Sequence, residues 1–437
     1  MLRKGGSPDS HTHAPDPEAV QAQRILSRIK LAAQTRDRPP SAVIREVQGV
    51  SQQVQARLPE IENMRKLIRR EQSDELPVNP TNINDLHHLP DNFKKNLVGE
   101  NFLIYDSYED PDALDCGRVI VFGTRENLRV LFASDTWFLD GTFQRVPSIF
   151  FQLFVLMASV TQVYKGIERK VALPFVYALL ENKREETYEK VLQVTTEFAT
   201  AAGIQIRHPT TAMTDFEIAI INSIKSTFDE NIIRLCLFHL CQNVYRKIQE
   251  EGLQVQYLDP NDSSIRDAAH SMCALAFVPT EHVVDLFDDV YATFPANFIP
   301  VAKYFESNYI RGVRAVGRRR AIKVRYDPAL WNQYDSVLQG NARTNNASEG
   351  WHNRFRILVG RSHPGLYSFL KDLQKEQADV EYMLRDLRLG KKIKNMPKNK
   401  FVEKETRISN IVRRYDAYVN SERELEYLDT VGCYINM

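Results

Sequence analysis

The order of hydrophobic patterns between residues 136 and 251 leaves this chain few folds to choose from. TWFLDGTF, FFQLFVLMASV and KVALPFVYALL are three apolar runs rich in β-branched and aromatic residues, and they read as strands. A helix follows in EETYEKVLQVTTEFATAAG, where Tyr188, Val191, Leu192, Thr195 and Phe198 recur at helical spacing and Gly203 supplies a C-terminal stop. Next come the strand TTAMTD, the helix EIAIINSIKSTF, the strand NIIRLCLF and the helix LCQNVYRKIQEE. Three strands in succession can pair as hairpins, whereas strands separated by helices need crossover connections, so the sheet is expected to be mixed.

This order is the RNase H-like α/β plan, a mixed sheet covered by helices on both faces. Two further strands, NFLIYDS and RVIVFGT, and the helix RENLRVLFAS precede it. After Gly252 the strand signal stops, and polar-broken helical segments run to about residue 340. The expected organisation is a tail over 1–20, a helical region over 21–72 and a Pro-rich linker over 73–100. A catalytic core over 101–252, a helical insertion over 253–340, a return to the core over 341–370 and a C-terminal helical and basic region over 371–437 complete it. The three helical segments between Glu18 and Glu71 fit either ordinary helical packing or a helix-turn-helix DNA reader.

Bulk properties narrow the function classes. With 437 residues and 43% apolar content the chain can fill a sizeable core. The longest apolar run, IFFQLFVLMASV, is interrupted by Gln152 and falls short of the roughly 20 residues of a membrane helix, so no membrane partner is expected. MLRKGGSPDSHTH has no apolar signal centre, and five scattered cysteines form no disulfide framework, which fits a reducing intracellular compartment. The net charge is only +1, but its distribution is uneven. RGVRAVGRRRAIKVR carries Arg311, Arg314, Arg318, Arg319, Arg320, Lys323 and Arg325 with no acid, and KKIKNMPKNK carries Lys391, Lys392 and Lys394 among five lysines. Such runs are expected to meet the phosphate backbone of a nucleic acid, which rewards clustered cations through counterion release.

Three acidic residues then become candidates for chemistry. Asp140 ends a strand in WFLDGTFQRVP, and Asp215 ends a later strand in TAMTDFEIA where a helix begins. Strand ends are where open α/β sheets place ligands. Glu349 lies near a helix start in TNNASEGWHNRF, with Asn345, His352, Asn353 and Arg356 at helical spacings on one face. In the expected fold the strands of Asp140 and Asp215 are neighbours, and a late helix can bring Glu349 against both. Three such carboxylates repel until a cation is present, and two Mg2+ or Mn2+ ions suit an all-oxygen donor set that also takes substrate phosphates. Cys236 and His239, in RLCLFHLCQN, follow the strand beside that of Asp215. Cys241 is too near, and His270 and Cys273 too distant in sequence, to complete a zinc set, so zinc is not expected and His239 is expected to face the carboxylates.

LDGTFQ, TDFE, CLFHLCQN and NNASEGWHNRF, in this order, resemble the transposase domain of Mutator-like elements, the MULE family, over roughly residues 100 to 370. The resemblance implies an Asp-Asp-Glu triad of Asp140, Asp215 and Glu349 as metal ligands, with Cys236 and His239 as an accessory pair. It implies cutting of double-stranded DNA at element ends, the terminal inverted repeats, and joining of the freed 3′-hydroxyl to target DNA. Assembly as a homo-oligomer and residence in the nucleus follow from that activity. Trp351 and His352 lie in the matched Glu motif, Trp351 as packing. His11-Thr-His13 and the helix after it are similar to the end of a FLYWCH-type zinc finger, whose cysteines have no counterpart before Cys116, as in an N-terminally truncated copy. The alternative functions are a transposon-derived DNA-binding or regulatory protein without cleavage, and a nuclease of the same fold that hydrolyses without joining.

Overall fold

The computed structural model describes residues 16–34, 40–45, 49–73, 76–110, 113, 116–313, 320–341, 343, 346–395 and 399–435. The chain divides into two compact units, residues 1–79 and 80–437. In the first, helices α1 (Pro17–Gln34), α2 (Pro40–Arg45), α3 (Gln52–Gln55) and α4 (Ile61–Ser73) bury Ile25, Ile29, Val43, Val54 and Ile68 in a core of their own. Ser51 caps α3, its hydroxyl accepting from the Val54 amide.

The second unit is built on a seven-stranded sheet in the order β1-β2-β5-β4-β3-β6-β7. Its strands are β1 (Leu103–Asp106), β2 (Val119–Phe122), β3 (Thr136–Thr142), β4 (Gln152–Tyr164), β5 (Ile167–Leu180), β6 (Thr211–Thr214) and β7 (Ile233–Leu235). From β1 to β3 every pairing is antiparallel, while β3–β6 and β6–β7 are parallel. The α/β architecture and mixed sheet expected from the sequence are therefore present. Lys165 and Gly166 turn β4 into β5 with φ of 52° and 75°, the backbone that a two-residue hairpin between right-twisted strands requires. Pro174 sits inside β5 because the β4–β5 register shifts at Leu156/Met157, where a missing amide donor is tolerated.

Alternation decides what each face meets. Trp137, Leu139, Leu156, Leu173 and Phe175 enter the core shared with α5 (Arg125–Ala133), α6 (Glu185–Ala201) and α7 (Ile218–Thr227). Helix α8 (Leu237–Glu250) follows β7. The insertion comprises α9 (Gln254–Tyr257), α10 (Ser264–Ala274), α11 (Val283–Thr293), α12 (Ile299–Phe305), a π-helical turn at Glu306–Ile310, α13 (Pro328–Trp331) and α14 (Tyr334–Leu338). Helices α15 (Asn346–Val359), α16 (Leu366–Arg388), α17 (Asn399–Val412), α18 (Tyr415–Val419) and α19 (Glu424–Gly432) end the chain. Helix α15 packs on β3, β5 and α16.

Two local outcomes differ from the sequence reading. Residues 80–100, read as linker, bury Leu86, Leu89 and Phe93 and are held by Arg118, whose guanidinium donates to the carbonyls of Leu86 and His87 and pairs with the buried Asp106. The strand NIIRLCLF stops at Leu235, because Cys236 takes the N-cap position of α8 and its amide bonds Thr214 O. The helix start expected at Glu349 is present: from Asn346 the chain forms helix α15, laid on the sheet.

Past Ala158, β4 and β5 run on as a two-stranded arm, and buried Gln162 fastens residues 393–394 to it. Its Oε1 accepts from the amides of Ile393 and Lys394, at 2.8 and 2.9 Å, and its Nε2 donates to Lys394 O at 3.2 Å. Gln162→Ala is expected to release this segment, raising amide hydrogen exchange at Ile393 and Lys394 while central strand amides keep their protection. The global cost should be about 1–3 kcal/mol in urea unfolding.

Candidate active site

The parallel register of β3 with β6 sets the site. Thr136, Trp137 and Phe138 pair with Thr211, Ala212 and Met213, so the next equivalent positions put Asp140 level with Asp215 where both strands end. Neighbouring strands lie about 4.8 Å apart, which makes these two carboxylates lateral neighbours on one face. That face, shared by Phe138 and Asp140, is the one covered by α15. From α15, His352 brings Nε2 to 3.1 Å from Asp140 Oδ2, with the two side chains 21% and 12% exposed. The ring nitrogen makes no hydrogen bond at that distance. Asp140 Oδ1 accepts from the Gly141 amide at 2.8 Å.

The charges report the same convergence. Burial, then the charges of Asp140 and Glu217, push the Asp215 carboxyl up to about 7. Glu349, one helical turn before His352, is raised by burial and by Asp140, with His352 opposing. His239, in the first turn of α8, is held below the usual imidazole range by burial, against the pull of Asp140, and its Nδ1 is buried without a partner. Asp140 therefore interacts with Asp215, Glu349 and His239. Cys236 is buried between Thr214 and α8. Cys241 and Cys273, far apart in sequence, meet in the core, where hydrogen bonding to Cys241 and burial hold the Cys273 thiol well up. Among the described residues no three His, Cys, Asp or Glu side chains form a ready metal-holding group.

A polar layer behind the carboxylates escaped the sequence reading. Gln152 Nε2 donates to Tyr188 OH at 2.5 Å, and Tyr188 OH donates to Glu217 Oε1 at 2.7 Å. The Glu217 amide closes on Asp215 Oδ1 at 3.2 Å. The signal was Gln152 itself, a polar residue inside an otherwise apolar strand, which needs a partner when buried. Gly141 leaves room beside it, because a Cβ there would stand 2.5 Å from Gln152 Oε1 and force that side chain to shift. On the other side, Tyr326 donates its hydroxyl to Phe216 O at 2.6 Å, so the insertion grips the loop between Asp215 and Glu217.

Of the basic candidates, Arg320, Lys323 and Arg325 are exposed, Arg325 stacking over the Tyr326 ring at 5.4 Å. Arg314, Arg318 and Arg319, like Asn345, His11 and His13, lie outside the described residues. Arg311 is committed to the fold, paired with Asp288 and Glu306 and lying over Phe287. Lys394 is likewise committed: its amine bonds Ala172 O at 3.4 Å, and burial with the charges of Arg354 and Arg169 lowers its pKa. Lys391 is exposed and paired with Asp386, and Lys392 is exposed with its amine on Asn395 Oδ1. Asn353 and Arg356 face solvent, while Trp351 is buried and donates to Glu376.

An α/β sheet with acidic side chains gathered at the ends of adjacent parallel strands defines a class of ligand-binding folds. Residues 136–243 match the family model described as the MULE transposase domain. That span runs from the start of β3 into α8, holds Asp140, Asp215, Cys236 and His239, and stops short of Glu349. The match points to transposase-type function and, in general terms, to DNA as the partner. No curated protein and no solved structure matches the chain. Among the described residues no helix is long and apolar enough to cross a membrane.

The raised Asp215 carboxyl has a thermodynamic consequence. Its folded pKa of about 7 stands above the ordinary 3.8, so its stability contribution is full below pH 4 and is lost as pH rises through 7. Asp215→Asn, in chelator-treated buffer, is expected to melt several degrees higher than the parent at pH 8 and no higher at pH 4. Equal melting at both values would show that the carboxylate carries no such penalty.

Proposed function

We propose that the chain is a DNA transposase of the Mutator-like type with an RNase H-like core, in which Asp140, Asp215 and Glu349 act as the catalytic triad. The observation that carries this reading is the in-register placement of Asp140 and Asp215 within the segment that matches the MULE transposase domain. The donor set fits hard divalent cations: every proposed ligand atom is a carboxylate oxygen, and the charge of Asp140, which adds to burial in raising Asp215 and Glu349, is what a cation would offset. Two Mg2+ or Mn2+ ions there would activate a water or 3′-hydroxyl and stabilise the leaving oxygen of a phosphodiester.

The chain's own residues do the rest. Gln152, Tyr188 and Glu217 fix the loop of Asp215 from behind, and Tyr326 fixes it from the insertion. His239 and Cys236 form the accessory pair beside the carboxylates. Arg320, Lys323 and Arg325 offer phosphate contacts along double-stranded DNA, at terminal inverted repeats and at the target. A homo-oligomer acting in the nucleus completes the reading.

A second reading, a transposon-derived DNA-binding protein without cleavage, is favoured by His352, whose Nε2 lies 3.1 Å from Asp140 Oδ2. One experiment separates the two. A labelled duplex carrying candidate inverted-repeat ends, taken from the DNA on either side of the coding region, is incubated with the protein and Mn2+. Metal-dependent nicking is expected, falling by at least about two orders of magnitude in Asp140→Asn and in Glu349→Gln. Sequence-specific binding with no nicking by the parent would establish the second reading.

A further inference from the structure

Helix α15 carries more toward the site than Glu349 and His352. At 3.6 residues per turn, Asn353 follows Glu349 by one turn and stands about 40° to one side of its line, while Arg356 follows by two turns and stands about 20° to the other. Both side chains are exposed. Arg356 also comes one turn after His352, whose Nε2 is 3.1 Å from Asp140 Oδ2. Helical side chains lean toward the helix N-terminus, so position 356 covers the surface over the turn of His352, on the side of the carboxylates.

Neither side chain is spent on the fold. Among the described residues, the Arg356 guanidinium and the Asn353 amide bond no other group. Neighbouring arginines differ: Arg354, turned about 140° from Glu349, pairs with Glu376 and Asp379, and Arg361 pairs with Asp372 and donates to Ser368 Oγ. The charged groups that act on Glu349 are Asp140 and His352. Arg356 is left for something outside the chain.

A solvated arginine on a helix is ordinary surface. This one borders a site with a surplus of the opposite charge, where Asp140 and Glu217 act on Asp215 and Asp140 acts on Glu349. Cations at the carboxylates would offset one phosphate of an entering strand, and the flanking phosphates need charge of their own. A guanidinium two turns along α15 meets that need, because its planar fork bonds phosphate oxygens in pairs. Asn353 adds a neutral donor beside it, which fixes where the strand lies.

We propose that Arg356 and Asn353 hold a DNA strand at phosphates flanking the one that the carboxylates take. This rests on the reading of the site as one that works on DNA, and it extends the strand's path from Glu349 along α15.

The test is binding of a fluorescein-labelled duplex with candidate inverted-repeat ends, in Mn2+ at several salt concentrations, every protein carrying Asp140→Asn so that no strand is cut. Arg356→Ala is expected to weaken binding roughly three- to thirtyfold at low salt and to flatten the slope of log K against log salt by about 0.9, the loss of one phosphate contact. Arg356→Lys keeps the charge and should keep the slope. Asn353→Ala should weaken binding with the slope unchanged. Ile357→Ser, at a 77% exposed position turned about 100° from Arg356, should change neither. Neutral methylphosphonates, placed at one phosphate at a time, locate the contact. One position should weaken binding by the protein with Arg356 and cost nothing further in Arg356→Ala, and it should flank the bond that the protein with Asp140 intact nicks. An unchanged slope in Arg356→Ala, the same loss of slope in Arg356→Lys, a coupled phosphate remote from the nick, or no binding of the duplex overturns the contact. A coupled phosphate with no nicking by the Asp140 protein would sink the transposase reading and keep the contact. Nicking with no coupled phosphate would do the reverse.

Discussion

The parallel pairing of β3 with β6 is the constraint on which the site depends. Residues 75 positions apart become lateral neighbours only because that register is held, and the register is held by the layers around it. A slip of one residue would turn Asp140 away from the face of α15 and carry Leu139 out of the core, so the apolar alternation of β3 enforces the polar geometry at its end. The fold thus holds two carboxylates side by side, and burial, with the charges of Asp140 and Glu217 added to it, raises the Asp215 carboxyl.

Helix α15 supplies the third side, and a buried carboxylate positions it. Glu376 on α16 accepts from Trp351 Nε1 at 2.8 Å and pairs with Arg354, and burial raises it to about 6. Trp351 stacks on Phe355 one turn later and packs near Tyr177 of β5. The face of α15 that carries these residues anchors it, and the residues offset from them, Glu349 and His352, are thereby presented to Asp140. The insertion contributes a separate tether through Tyr326 and Phe216, where Phe216 also meets the rings of Tyr309 and Tyr326 edge to face. Tyr309 lies in the π-helical turn, a local irregularity that places its ring there.

Much of this was legible because periodicity reports burial. The alternating strands and helices from 136 to 251 carry their own order, and Asp140 and Asp215 stand out where an apolar strand yields to a turn or a helix. The spacing of Glu349 and His352 on one helix was equally readable. What periodicity does not report is the partner of a polar group. Nothing in KKIKN distinguishes Lys394, half-buried against Ala172, from its exposed lysine neighbours, because that cover comes from an arm more than 200 residues earlier in the chain. Arg311 looked like surface charge until Asp288 and Glu306 were placed beside it. Residues 80–100 looked like linker because prolines mask three apolar anchors, and the early start of α8 depends on an amide bond from Cys236 to a neighbouring strand.

Sorting the basic residues changes how a chain of near-neutral net charge can hold a polyanion. A cation already spent on a buried acid gives little to a phosphate, since moving it exposes an uncompensated charge. Arg118, on the buried Asp106, belongs to that class. Arg320, Lys323 and Arg325 do not, and Arg325 is followed directly by the tyrosine whose hydroxyl holds the loop of Asp215. The basic segment and the carboxylates are therefore tied through one short covalent and hydrogen-bonded path. On the proposed function, a backbone gripped by the first would be held near the second, which is the condition for positioning a phosphodiester rather than merely attracting it.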